Sequence, residues 1–234
     1  MVSAESVEKF LRQLKESPSG AVFNPWWHVD EENDTGPREP RIRRKQFRAY
    51  LCDRLGKARL AIVGEALGYR GGHFTGIPMT SERILLGRNK NVGIGAKQFF
   101  SDIVACRTSK QEICRDGFSE PTATIVWSSL LKLGIKPTEF VLWNAFPWHS
   151  FDPDERLLSN RTPTRSERAA GMPVLKAFLK LFPCDQVVAL GRIATAQLEA
   201  IDVDASRLRG IRHPASGGAK LFRKQIAEVV KKLG

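Results

Sequence analysis

The sequence predicts an α/β fold, a three-layer αβα sandwich around a central, mainly parallel four-stranded sheet. Short, almost continuous apolar runs alternate with stretches of helical periodicity, and strands that are covered on both faces have this composition. The order strand, helix, strand then favours a parallel sheet with helices on both sides. The predicted strands are residues 59–64, 139–146 and 186–191, with a weaker run at 207–213.

Two amphipathic helices precede the first strand. Apolar residues recur at helical spacing within residues 3–16 and again within 41–56, where Gly56 is a typical C-terminal residue of a helix. Residues 17–40 are rich in Pro, Gly, Asn and acidic residues and are interpreted as a loop. Because no low-complexity linker divides the chain, we expect residues 1–234 to form a single domain.

The charge balance favours a polyanionic partner. Lys and Arg total 37 against 25 Asp and Glu, a formal net charge of +12, and such an excess is common in nucleic-acid-binding proteins. The densest basic cluster, residues 41–45, lies either beside DNA or on a solvated face. The start of the chain lacks the apolar core of a signal peptide, and no run of eighteen apolar residues occurs. We therefore expect a cytoplasmic, nucleoid-associated protein.

Short motifs follow the predicted strands, at the sheet edge where α/β proteins place their sites. In order and spacing over residues 60–234 these motifs resemble those of the uracil-DNA glycosylase superfamily, most closely its iron-sulfur class. The matching segments are Gly64-Glu65-Ala66-Leu67-Gly68, residues 75–81, Asn144, residues 160–164, and Ile211-Arg212-His213-Pro214-Ala215.

The resemblance implies a monomeric enzyme that hydrolyses the N-glycosidic bond of flipped-out deoxyuridine in DNA and leaves an abasic site. His213 would donate to uracil O2 as negative charge develops there, and Asn144 would donate to O4 and accept from N3–H. Glu65 would order a water or a neighbouring loop. The other residues expected to contact the base are Gly64, Ala66, Leu67, Gly68, Tyr69, Phe74, Met79 and Phe146.

The chain departs from the family pattern at three positions. Ala66 stands where the best-known members carry the aspartate that orients water, which leaves Glu65, His73 and His149 as alternatives. Met79 stands where an aromatic residue stacks on the base. Gly68 stands where some relatives carry a tyrosine that excludes thymine. For stacking, the alternatives are Met79, Phe74, Phe146 and Tyr69, and for the exclusion of thymine they are Tyr69, His73 and Phe74.

The residues after His213 are expected to hold the DNA backbone. Small residues allow close approach to a phosphate at a helix start, and basic residues supply charge. Relatives insert an apolar wedge here, and Leu221 is the bulky residue near that position. The expected backbone contacts are Arg212, Pro214, Ser216, Gly217, Gly218 and Lys220.

No metal or other cofactor is expected. The four cysteines are scattered without a CxxC pair, and the segment directly after Asn144, residues 147–154, where the iron-sulfur class has a ligand, contains none. The four histidines lack the spacing of a zinc site. We therefore expect neither an iron-sulfur cluster nor zinc.

Three other classes of function are alternatives to a uracil-DNA glycosylase. A nucleotide-binding Rossmann enzyme is disfavoured because the glycines after the first strand lack GxGxxG spacing. A catalytically weak, damaged-DNA-binding relative is consistent with Ala66 and Met79. A glycosylase for another lesion, such as hypoxanthine or mismatched thymine, remains an alternative, although Asn144 favours uracil.

Overall fold

The predicted strands form one parallel sheet. A computed structural model describes residues 3–201 and 203–233, apart from the side chains at positions 97 and 98. The strands are β1 (Val22–Phe23), β2 (Leu60–Gly64), β3 (Phe140–Asn144), β4 (His149–Ser150), β5 (Gln186–Leu190) and β6 (Leu208–Ile211). The sheet has the order β3-β2-β5-β6, and its adjacent strands are parallel. The α/β prediction is therefore confirmed.

Helices flank this sheet. None of the helices within the described ranges is long and apolar enough to cross a membrane. The helices are α1 (Ala4–Gln13), α2 (Glu39–Cys52), α3 (Gly72–Thr75), α4 (Glu82–Leu85), α5 (Ala96–Phe99), α6 (Pro121–Lys132), α7 (Arg165–Leu181), α8 (Arg192–Glu199) and α9 (Ala219–Val230).

Successive residues of β3 face opposite layers, as in any strand. Phe140 packs edge-on against Trp127 of α6. Asn144 lies an even number of residues after Phe140 in the strand. Its side chain therefore projects to the same side of the sheet as that of Phe140. Trp143 projects to the other side, where it packs against aromatic rings of α1, α2 and α7, which are Phe10, Phe47 and Phe178.

The segment 17–40 is more ordered than a loop, and the basic cluster 41–45 is only partly exposed. β1 pairs with β4 in antiparallel fashion. Arg43 is fully buried and forms an ion pair with buried Asp34 at 2.6 Å. A buried charge requires such a partner, so Arg43 anchors this segment to α2 and is unavailable to DNA. Residues 41–45 were expected to lie beside DNA or on a solvated face, and Arg43 does neither.

The start of α7 is fixed by a capping box. The Glu167 backbone N–H donates to Thr164 Oγ1 at 3.3 Å, and the Thr164 backbone N–H donates to Glu167 Oε2 at 2.7 Å. Arg161 pairs with the same carboxylate at 2.7 Å. These contacts tie residues 160–164 to the helix.

Loss of the cap should destabilise the protein modestly. We expect Thr164→Ala to lower the free energy of unfolding by about 1 kcal/mol, because one helix-end N–H loses its acceptor. Urea unfolding measures this change. Thr164→Ser keeps the hydroxyl and should remain near the wild type, and equal losses in both variants would contradict the capping role.

Candidate active site

Asn144 is the last residue of β3 and lies beside Gly64, the last residue of β2. The Asn144 side chain is 1% exposed, and neither its Oδ1 nor its Nδ2 atom has a hydrogen-bond partner. A Cβ atom on Gly64 would lie 2.6 Å from Oδ1, so only glycine leaves room for the amide. A buried, unpaired polar group costs about 1–3 kcal/mol. Such an amide is typical of a group that pairs with a ligand.

Met79 lies next to this amide. A Cβ atom on Gly64 would lie 3.4 Å from Met79 Sδ and 2.6 Å from Asn144 Oδ1. The two side chains therefore meet at Gly64. Met79 has a φ of 46°, in the left-handed region that a non-glycine residue adopts at a cost. The indole N–H of Trp127 donates to its carbonyl oxygen at 3.2 Å and helps to hold this conformation. The position expected to stack on a base is therefore fixed beside Asn144.

His213 follows β6 and is half-buried. The Ala215 backbone N–H donates to His213 Nδ1 at 3.1 Å, so in the neutral ring the proton resides on Nε2. Burial, together with the charge of Arg212, lowers the pKa of His213 below its ordinary value. At neutral pH the ring is therefore an uncharged donor through Nε2–H.

One cavity brings most of the predicted motifs together. Its volume is about 970 Å³, and a second cavity of about 860 Å³ adjoins it, with Glu65 and His213 lining both. Asn144 and Met79 line neither of the two cavities. The first cavity is lined by residues 65–70, 120–122, 125, 160–162 and 213–216.

Two predicted base contacts are not supported by the geometry. Phe74 is fully buried and stacks on Phe118, with ring centroids 4.5 Å apart. Phe146 is also fully buried and packs against Trp148. Neither ring lines either cavity, because both serve the core. Tyr69 does line the first cavity, and its backbone N–H donates to Asn160 Oδ1 at 3.0 Å.

His73 and His149 belong to a buried network and line neither cavity. Their Nδ1 atoms lie 3.0 Å apart, His73 Nε2 lies 2.9 Å from Asp30 Oδ2, and His149 Nε2 lies 2.7 Å from the Ser159 carbonyl oxygen. Burial lowers the pKa of His149 to about 3. The geometry therefore does not support either histidine as the residue that positions water.

Among the described residues, no group of three His, Cys, Asp or Glu side chains is arranged to hold a metal ion.

The segment after His213 has the turns expected of a backbone-binding loop. Ser216 and Gly217 have φ values of 50° and 76°, and both are exposed, as is Arg212. A Cβ on Gly218 would lie 2.0 Å from the His213 carbonyl oxygen, so this glycine makes the tight turn possible. Pro214 is buried, whereas Lys220 is exposed in the first turn of α9.

Glu120 is a site residue that the motifs did not indicate. It lines the first cavity at the start of α6, and its Oε2 atom is buried without a hydrogen-bond partner. Burial raises the pKa of its carboxyl to about 7. Its sequence setting, an acidic residue before Pro121, is typical of any helix start, so no sequence signal distinguished it.

Comparison with known proteins agrees with this fold. The sequence profile of the Uracil DNA glycosylase superfamily matches residues 53–231. The crystal structure of wild-type Pedobacter heparinus SMUG2 has a similar fold, with a TM-score of 0.62 and 15% sequence identity over 98% of this chain and 97% of that chain. No curated protein matches the chain in sequence. The chain therefore belongs to the uracil DNA glycosylase superfamily, which supports its assignment as a DNA glycosylase.

Proposed function

We propose that the protein is a monofunctional uracil-DNA glycosylase that hydrolyses the N-glycosidic bond of flipped-out deoxyuridine and starts base excision repair. The observation that carries the proposal is the buried, unpaired amide of Asn144 beside Gly64. We further propose that the chain acts as a single-domain monomer in the cytoplasm, on nucleoid DNA.

The amide of Asn144 supplies the selectivity for uracil. Its Nδ2 donates to uracil O4, and its Oδ1 accepts from N3–H. Cytosine presents the reverse pattern, a donor at position 4 and an acceptor at N3. Binding cytosine would leave buried polar groups unpaired, which enzymes use to reject an analogue by a large factor.

His213 supplies the stabilisation of the leaving group. As the bond between N1 and the sugar breaks, negative charge develops on the base and reaches O2. A neutral imidazole that donates through Nε2–H stabilises this charge in a partly dehydrated site. The hydrogen bond from Ala215 to Nδ1 fixes the tautomer that this role requires.

The surface next to His213 binds the DNA backbone in this proposal. Arg212 and Lys220 provide positive charge, and the turn at Ser216 and Gly217 exposes backbone to a phosphate. Leu221 is 48% exposed at the start of α9, where an apolar side chain fills the space that the flipped nucleotide vacates.

Lys220→Ala should weaken DNA binding about equally for all sequences and reduce the salt dependence of the binding constant by about one counterion. Fluorescence anisotropy at several salt concentrations measures both effects. Lys232→Ala makes the same charge change at an exposed residue in the turn after α9, at the other end of that helix from Lys220, and serves as the control. Equal salt slopes in the two variants would exclude Lys220 from the phosphate contacts.

An excision assay tests the function directly. The purified protein is incubated with an end-labelled oligonucleotide that bears one uracil, without added metal, and alkali then cuts any abasic site. Strand cleavage with uracil, and none with thymine or cytosine, supports the proposal. Binding without cleavage would instead indicate a damaged-DNA-binding protein, and cleavage only at hypoxanthine or mismatched thymine would indicate another lesion specificity.

A further inference from the structure

The Glu120 carboxylate has no structural partner that explains its position. It is the residue that caps α6, yet its side chain forms no capping hydrogen bond. Its Oε2 atom is buried without a partner, and Glu120 takes part in none of the ion pairs within the described residues. Glu120 is only partly exposed, and a carboxylate with one buried, unpaired oxygen is costly to maintain, so a role in ligand chemistry is the better explanation.

The loop after β2 leaves room for this carboxylate. A Cβ on Gly71 would lie 1.9 Å from Glu120 Oε2, and a Cβ on Gly68 would lie 3.6 Å from Oε1. Any side chain at position 71 would therefore displace the carboxylate. The carboxylate is held against the segment that also contains Ala66, in the cavity that His213 lines.

Hydrolysis of a glycosidic bond requires a group that holds water, and the residues already assigned do not supply it. Asn144 and His213 pair with the base, the Ala66 side chain has no polar atom, and His73 and His149 lie outside the cavity. Two carboxylates line the cavity, Glu65 and Glu120. Glu120 is the one with a buried, unpaired oxygen.

We propose that Glu120 is the catalytic carboxylate that binds the attacking water and accepts its proton, an inference that rests on the proposed glycosylase function. The water oxygen forms a bond to C1′ of the sugar, and the bond from C1′ to N1 of uracil breaks. The bonding electron pair leaves with the base, whose charge His213 stabilises, and the water proton passes to the Glu120 carboxylate.

The ionisation of Glu120 gives this role a pH signature. Burial raises the pKa of its carboxyl to about 7, near the operating pH of a general base. The excision rate should therefore rise roughly tenfold per pH unit below this value and level off above it. The other titratable or charged groups that line the cavity are Glu65, Tyr69, Arg70, Arg161 and His213. Arg161 is paired with Glu167, and burial shifts the pKa of His213 downward, opposite to the shift of Glu120.

The kinetic test is single-turnover excision between pH 5 and 9 with the wild type, Glu120→Gln and a surface control, Glu112→Gln. We expect Glu120→Gln to be about a hundredfold slower on the plateau and to lose the rise toward neutral pH. Glu112→Gln should match the wild type, because Glu112 is exposed and outside the cavity. Wild-type rates and an unchanged pH profile in Glu120→Gln would overturn the proposal.

Thermal unfolding separates a catalytic role from a structural one. The folded-state pKa of Glu120 is raised above its ordinary value of 4.5, so its stabilising contribution is present below that value and is lost as the pH rises through about 7. Glu120→Gln should therefore melt at a higher temperature than the wild type at pH 8 and at an equal temperature near pH 4. A lower melting temperature at pH 8 would assign a structural role and overturn the proposal.

Gly71→Ala provides a second variant, because its methyl group displaces the carboxylate. The double variant with Glu120→Gln should then be no slower than the slower single variant; multiplied losses would contradict the proposal. If the wild type excises no uracil, the proposed function fails, and the same comparison on a hypoxanthine substrate still tests Glu120. Absence of excision on both substrates overturns both proposals.

Discussion

Asn144→Ala should slow uracil excision by on the order of a hundredfold or more under single-turnover conditions. The variant loses the donor to O4 and the acceptor for N3–H, and it leaves these two groups of a buried base unpaired. Its fold should be intact and its stability no lower than expected for a small cavity, because the wild-type amide has no partner within the protein. A large loss of activity with little loss of stability is therefore the expected combination.

Asn144→Asp is the matched control, since it keeps the shape of the side chain and removes the donor. Asn144→Asp should also excise uracil slowly, because its carboxylate oxygen and uracil O4 are both acceptors and repel each other. A rate near that of the wild type in either variant would contradict the assignment of Asn144 as the residue that recognises the base. The assay is the uracil oligonucleotide described above, with circular dichroism to verify folding.

His213→Ala should reduce the excision rate by a similar factor, on the order of a hundredfold, through loss of the donor to O2. Substrate affinity should change much less, because the contact strengthens only as charge develops on the base. Single-turnover rates at saturating enzyme, together with binding measured on a non-cleavable uracil analogue, separate the two effects.

His213→Gln tests whether donation is the role of this side chain. Its amide N–H restores a donor of similar reach, so the variant should recover part of the rate that alanine loses. Equal rates in the two variants, or a loss that appears only in affinity, would exclude transition-state stabilisation by His213.

The sequence predicted the sheet well because its strands are covered on both faces. The runs at 60–64, 140–144 and 186–190 are almost continuously apolar, which is the composition of parallel strands buried on both faces. The grouping of the strand-end motifs could also be predicted, because the carboxyl ends of parallel strands meet at one edge of the sheet. The positions of Asn144 at the end of β3 and of His213 after β6 were therefore predictable, whereas their roles stay predictions.

Other features depend on contacts between distant segments and left no local signal. Phe74 has the composition of a stacking residue, but its partner Phe118 lies 44 positions away in sequence and removes it from the cavity. Arg43 sits in a basic cluster, and only the position of Asp34 shows that it is an anchor. Glu120 becomes notable only when the loop that carries Gly71 folds against it.

The order of the strands has a consequence for the motions of the site. Asn144 ends β3 and His213 follows β6, and these are the two edge strands of the sheet. Neighbouring strands are about 4.8 Å apart, so the three spacings between the two edges add up to roughly 14 Å. A base held by both residues links the edges across the whole sheet, so fraying of either edge strand breaks contacts to the base. In the proposed complex the substrate would therefore tie β3 to β6, and the precision of the site would depend on the cohesion of all four strands.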